Sequence, residues 1–188
     1  MGMPDTARRY TVAEVLEFPS DGNRYELVDG ELLVTPAPRF RHQEVLGEVF
    51  SLLHQYLRSN PRGKVLLSPA DITWGSDHDL AQPDIFVVAA EEARDPDTKW
   101  EAIRTLLLAV EIISPSSTRY DRVTKRRLYQ RRGVAAYWVV DPDARLVEVW
   151  HPDDDRPEIV TEILRWRVTE AAPQLEIPLA SLFGDLPK

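Results

Sequence analysis

The sequence contains no cysteine. Disulfides, thiolate metal sites and thiol nucleophiles are therefore excluded, and the chain suits a reducing compartment. Long apolar runs are missing too. No stretch approaches the ~20 residues of a membrane span, and the opening "MGMPDTARRY" lacks the apolar segment of a secretory signal. The expectation is a cytoplasmic protein without membrane attachment. No H-E-x-x-H, P-loop or G-x-S-x-G pattern is present. The acidic stretch "GSDHDLAQPD" fails as a calcium loop. Counted from Asp77, the places that need glycine and glutamate hold Gln82 and Val88.

Positive charge is in short supply: 23 Lys and Arg stand against 31 Asp and Glu, a net charge of -8. That argues against a generic nucleic-acid coat, which carries a basic surplus. The average hides a local reversal. "SPSSTRYDRVTKRRLYQRRG", residues 114–133, has seven basic residues and the single acid Asp121, whereas "HPDDDRPE" at 151–158 holds much of the acid excess.

With 188 residues, 43% of them hydrophobic, the chain has material for one domain over 1–188, its most patterned part lying at about 20–150. Thr11 with Glu14 reads as a capping box opening a short helix closed by Pro19. "RYELVDGELLV" alternates around Asp29-Gly30, a hairpin signal. Apolar residues Val45, Leu46, Val49, Phe50, Leu52, Leu53, Tyr56 and Leu57 recur at helical spacing over 41–59. Short strands are expected at 64–68, 70–74 and 84–89, then a longer one at 105–113. The basic helix comes next, with Ser116 or Ser117 as N-cap and Gly133 just past its end. "AAYWVVD" and "RLVEVWHP" pair across the turn "DPDA". One or two edge strands around 157–170 and a helical piece near 179–183 complete the chain. The pattern is α/β, a mixed central sheet flanked by helices.

Within that pattern "LLLAVEIISPSS" carries an anomaly. Glu111 stands near the end of an otherwise apolar strand, where an unpartnered carboxylate costs several kcal/mol or takes up a proton. Asp84 stands immediately before the apolar "IFVV". Were these strands adjacent and antiparallel, the two acids would meet at one sheet edge. Paired carboxylates are hard ligands suited to Mg²⁺ or Mn²⁺. Asp121 and Lys125, four apart, share a helix face, so Lys125 can reach back to the acids and assist a metal-bound water.

The ordered stretches "RYELVDGEL", "PAPRFRHQ", "QPDIFVV", "VEIISPSSTRYDRVTKRRLYQRRGVAAYWVVDP" and "VEVW" resemble the Uma2 family (DUF820), restriction-endonuclease-like proteins of the PD-(D/E)XK nuclease superfamily. The resemblance implies a restriction-endonuclease-like fold with added β-hairpins, Asp84 and Glu111 as metal ligands, and a Mg²⁺-dependent endonuclease acting on DNA. The chain departs from the superfamily pattern at Ile113, where a lysine is standard. The Uma2-like arrangement takes that lysine from the following helix, here Lys125.

Each residue also has an ordinary explanation. Pro-Asp is common turn chemistry, Glu111 could be a solvated strand end, and Asp121 with Lys125 could be a helix pair worth ~0.2–0.5 kcal/mol. Arg122, Arg126 and Arg127, with Arg131 and Arg132, form either a solvated face or a phosphate-contacting one. His42, Glu44 and Glu48 on the first long helix are supporting candidates, as are Glu26 and Glu31 beside the hairpin turn. Tyr129, Tyr137 and Trp138 read as core. The alternatives to a nuclease are a non-catalytic nucleic-acid-binding module on the same fold, or a structural protein that binds partners through its acidic C-terminal surface and edge strands. A homodimer is the simplest assembly for cutting two strands.

Overall fold

The computed structural model describes residues 8–114 and 117–184. Its strands are β1 (Arg24–Val28), β2 (Glu31–Thr35), β3 (Gly63–Leu67), β4 (Ile85–Ala89), β5 (Leu106–Ile112), β6 (Tyr137–Asp141), β7 (Leu146–Trp150), β8 (Glu158–Val160), β9 (Ile163–Trp166) and β10 (Leu175–Pro178). The α-helices are α1 (Val12–Leu16), α2 (Phe40–Ser59), α3 (Arg126–Arg131) and α4 (Leu179–Leu182), and a π-helical segment, Tyr120–Lys125, runs directly into α3. A six-stranded mixed sheet in the order β3-β4-β5-β6-β7-β8 forms the frame, with β1-β2 and β9-β10 as separate hairpins. Only β5 and β6 run parallel within the large sheet. A parallel pair needs a crossover, and the basic helical segment provides it.

The sheet is covered on both faces, which explains its unbroken apolar strands. Val45, Val49 and Leu53 of α2 pack with Ile85, Val87, Leu108, Val110 and Ile112 on one face. Leu164, Ile177, Leu182 and Phe183 from the C-terminal part join that cluster. On the other face Leu128 and Tyr129 of α3 pack with Ala109, Ile113, Tyr137 and Val139. Side chains alternate along a strand, so Glu111, between Ala109 and Ile113, belongs to the face under the basic helix.

Local signals act as read. Thr11 and Glu14 form both bonds of the capping box. Asp29 and Gly30 take φ of 51° and 79°, the left-handed pair of a two-residue type I′ turn. Gly133, at φ 65°, ends α3. Its N–H donates to the Gln130 carbonyl and that of Val134 to the Tyr129 carbonyl, the two bonds of a Schellman motif.

Other expectations are corrected. Residues 70–74 make no strand, only the isolated bridge between Ile72 and Ala81. Both edges of β4 are taken by β3 and β5, and the run does not pair with the sheet. β10 was not expected from the sequence. Ser117 does not cap the basic helix with its side chain: its hydroxyl accepts from Ser114 N–H at 3.1 Å, while its carbonyl accepts from Asp121 N–H at 3.0 Å. Ser116 lies outside the described residues. Among the described residues, no helix is long and apolar enough to cross a membrane.

A Cβ at Gly133 would meet nothing within 4 Å, so Gly133→Ala tests the backbone alone. A left-handed non-glycine residue costs about 1–2 kcal/mol. The stability of Gly133→Ala, measured by urea unfolding, is expected to fall by that amount, with the native circular-dichroism spectrum retained.

Candidate active site

The strand register brings the two acids together. Ile85 pairs with Val110 across antiparallel β4 and β5, so Asp84, one residue before, comes level with Glu111. Asp84 Oδ2 accepts the Ile112 N–H at 2.9 Å. The same oxygen lies 3.0 Å from His42 Nε2; an ionised carboxylate only accepts, so that nitrogen carries the proton. Asp84 Oδ1 accepts from Arg24 Nη1 at 2.8 Å. Thus α2, β1 and β5 each place a donor on one carboxylate.

Glu111 is held from the opposite side. The Tyr129 hydroxyl donates to its Oε1 at 2.8 Å, and Lys125 Nζ donates to the same oxygen at 3.0 Å. The ammonium also lies 2.7 Å from Glu26 Oε2 and 3.4 Å from Asp121 Oδ1. Glu26 in turn accepts the Gln82 N–H at 2.7 Å. Glu26, Asp84, Glu111, Asp121 and Lys125 are all at most 3% exposed. Four buried carboxylates therefore face two permanent cations, Lys125 and Arg24.

That imbalance sets the protonation. Burial alone would raise Asp84, but the His42 bond, the Arg24 charge and the Ile112 N–H outweigh it and hold the group well below the usual carboxylate range. Burial drives Glu111 well above that range. Lys125 opposes this, while Asp84, Asp121 and Glu26 reinforce it. Asp121 is raised for the same first reason, burial, against the pull of Lys125. Burial would lower Lys125, yet Glu111, Glu26 and Asp121 hold it well above its ordinary value, so it remains an ammonium.

These groups open onto a cleft of about 340 Å³ lined by residues that include Arg24, Arg39, His42, Asp84, Glu111, Asp121 and Lys125. The structure thus gathers Asp84, Glu111, Lys125, Asp121 and His42, all singled out from the sequence. Glu44, Glu48 and Glu31 are exposed and do not line it. Nor do Arg122, Arg126 and Arg127. Arg122 pairs with Asp141 at 2.8 Å and Glu148 at 2.6 Å, and the Arg126 guanidinium sits 4.7 Å from the Trp150 ring centre. Arg127 lines a separate concavity with Arg8, Arg9 and Arg131. The arginines of the cleft are instead Arg24 and Arg39. Sequence reasoning missed Arg24 and the hydroxyl of Tyr129. The available signal was Arg24-x-Glu26, two charges on one face of a short strand.

The residues fit a divalent cation of the Mg²⁺ class by charge and by free donors. Two carboxylates in excess of the cations match a charge of +2. Asp84 Oδ2 and Glu111 Oε1 each take two donors already. Asp84 Oδ1 takes one, and among the described residues Glu111 Oε2 takes none. One oxygen of each acid is therefore left with capacity. No group of three or more acidic or histidine side chains that could hold a metal ion occurs among the described residues; Mg²⁺ is commonly held by one or two carboxylates, with water and substrate oxygens completing the set.

A raised folded-state pKa means stability that is complete below the unfolded value and is lost as pH rises towards the folded one. Glu111→Gln, a mimic of the protonated acid, is expected to match the wild type in urea unfolding below the usual glutamate value of 4.5. It should gain on the wild type as pH rises, by on the order of 1 kcal/mol per unit of the raised interval. A constant difference across pH would refute the assignment.

The family model Uma2, described as "Putative restriction endonuclease", matches residues 12–180. Among solved structures, the chain resembles a "putative nuclease belonging to DUF820" from Anabaena variabilis ATCC 29413. The two are 25% identical, the match covers 92% of this chain and 97% of that one, and the TM-score is 0.75. No curated protein matches. The family match extends over nearly the whole sequence and the fold is shared with a DUF820 protein: this chain belongs to the Uma2 family.

Proposed function

We propose that this protein is a Mg²⁺- or Mn²⁺-dependent endonuclease that hydrolyses phosphodiester bonds in DNA. The observation that carries the reading is the convergence of Asp84, Glu111 and Lys125 in one cleft, from three separate elements, on buried groups that stability alone would not favour. Removing a charge from water costs several kcal/mol even when it is paired, and a well-packed apolar set would serve the fold better.

Asp84 and Glu111 would hold the cation, which when bound polarises the phosphodiester and makes a water more acidic. Asp84 is suited to a permanent anionic ligand, because three donors keep it ionised. Glu111 would have to be ionised to serve as a ligand, so affinity for the cation should rise with pH. Lys125, fixed among three carboxylates, stays charged, and its positive charge would offset the negative charge that grows on the phosphoryl oxygens. Glu26 and Asp121 position that ammonium. His42 fixes the Asp84 carboxylate in orientation. Arg24 stands beside Asp84 as a candidate phosphate contact.

The test is cleavage of DNA by purified full-length protein with Mg²⁺ or Mn²⁺ and with a chelator. Wild-type protein should cut only with the metal. Asp84→Asn, Glu111→Gln and Lys125→Met should each slow cutting by about 100-fold or more, while Glu111→Gln stays folded. Metal-dependent cutting that survives Glu111→Gln, or no cutting of any DNA under these conditions, would overturn the reading.

A further inference from the structure

The cleft has a buried floor and an exposed rim. The floor is Asp84, Glu111, Asp121 and Lys125, each 2–3% exposed. The rim is formed by Ser20, Gly22 and Asn23 on one side and residues 36–39 on the other, all exposed. A volume of about 340 Å³ sits near the lower end of the roughly 300–1,000 Å³ of small-ligand pockets. That is room for about one nucleotide at a time. A duplex presents two backbones held apart by stacked pairs, and it would have to remain on the rim, away from buried reacting groups.

The rim carries unspent cationic donors. Arg24 Nη1 spends its donors on Asp84 Oδ1 and on the Gln82 carbonyl. Among the described residues its Nε and Nη2 donate to nothing, although Arg24 lines the cleft. Arg39 lines the rim without any hydrogen bond or ion pair from its side chain among the described residues. It is also the N-cap of α2, a helix with no capping side chain and no acid in its first turn, so the positive end of that helix adds to the arginine. The next residue, Phe40, is 80% exposed, the most exposed large apolar side chain among the described residues. A ring held in water one residue after an arginine without a partner offers the two contacts with which proteins stack an unpaired base and hold its phosphate. The chain's net charge of -8 points the same way. A single strand has a lower charge density than a duplex, and stacking is indifferent to the protein's charge.

We propose that the cleft takes a single, unpaired nucleic-acid strand, with Arg24 and Arg39 on its phosphates and Phe40 stacked on a base at the rim. The identity of the ligand rests on the nuclease reading; the strandedness rests on the cleft and rim. Binding separates the two. The full chain carrying Glu111→Gln, with Mg²⁺ present, would be titrated by fluorescence anisotropy against a labelled oligonucleotide and against the same oligonucleotide annealed to its complement. The single strand should bind about tenfold tighter or more. Phe40→Ala, an exposed site whose replacement does not threaten folding, should weaken single-strand binding by about tenfold and leave duplex binding unchanged. Arg39→Gln should lower the salt dependence of single-strand binding by about one phosphate contact. Equal or tighter duplex binding, no binding of either form, or indifference to Phe40→Ala would overturn the proposal. Should the wild type cut duplex DNA, dependent on Glu111 but with no single-strand preference, the nuclease reading would stand and this one would fall. Phe40-dependent single-strand binding without any cutting would instead uphold the strandedness and remove the nuclease reading.

Discussion

A single ammonium group holds the functional half of the molecule together. Lys125 Nζ lies within 3.4 Å of carboxylates from β1, from β5 and from its own helical turn. Each of those acids is buried, and without the lysine ionising any of them would leave an uncompensated charge in an apolar setting, at a cost larger than the pair ever returns. The ammonium therefore ties the β1–β2 hairpin and the crossover helix to the end of the central sheet. The cleft exists because those three pieces stop at that point, and Arg24 and His42 close the far side around Asp84. Buried polar networks of this kind are poor stabilisers and good specifiers of geometry.

Much of the frame was legible because it rests on local chemistry. Asp29-Gly30 takes a turn that few other pairs can take, and Gly133 ends the basic helix where only a left-handed residue fits. The spacing from Val45 to Leu57 is a helix stripe whatever lies opposite. Asp84 and Glu111 stood out because each interrupts an apolar context, and the ladder then set them level. The features that could not be read depend on distant partners. Residues 70–74 carry strand-like residues, yet whether they pair is decided by the path of the chain and not by their own composition. Ser117 has the side chain of a cap, but Ser114 nearby offers its hydroxyl a different N–H.

The arginines teach the same lesson from the other side. A run of basic residues on one helix suggests a phosphate face, and nothing in the run says which way that face turns. Arg122 and Arg126 turn towards β6 and β7, where Asp141, Glu148 and Trp150 receive them. They fasten the helix to the sheet. The arginines that line the cleft, Arg24 and Arg39, come from outside that run. Charge composition located the region, while side-chain geometry decided the role.

The π-helical segment Tyr120–Lys125 has a consequence of its own. A π turn is an α-helix that has accommodated one extra residue, and it rotates the preceding turns by roughly 100° relative to the later ones. Asp121 and Lys125 lie in that widened turn, while Arg126 onwards resumes ordinary winding. Where the superfamily pattern carries its lysine on the strand, here Ile113 packs into the core and the charge comes from a helix with its own register. The place of the ammonium is thus set by helical phase. A loss of one residue between Tyr120 and Lys125 would restore a regular helix and leave the apolar seam of Leu128 and Tyr129 in place. It would also swing the turn that carries Asp121 by about a quarter turn relative to that seam, in a chain of nearly unchanged fold.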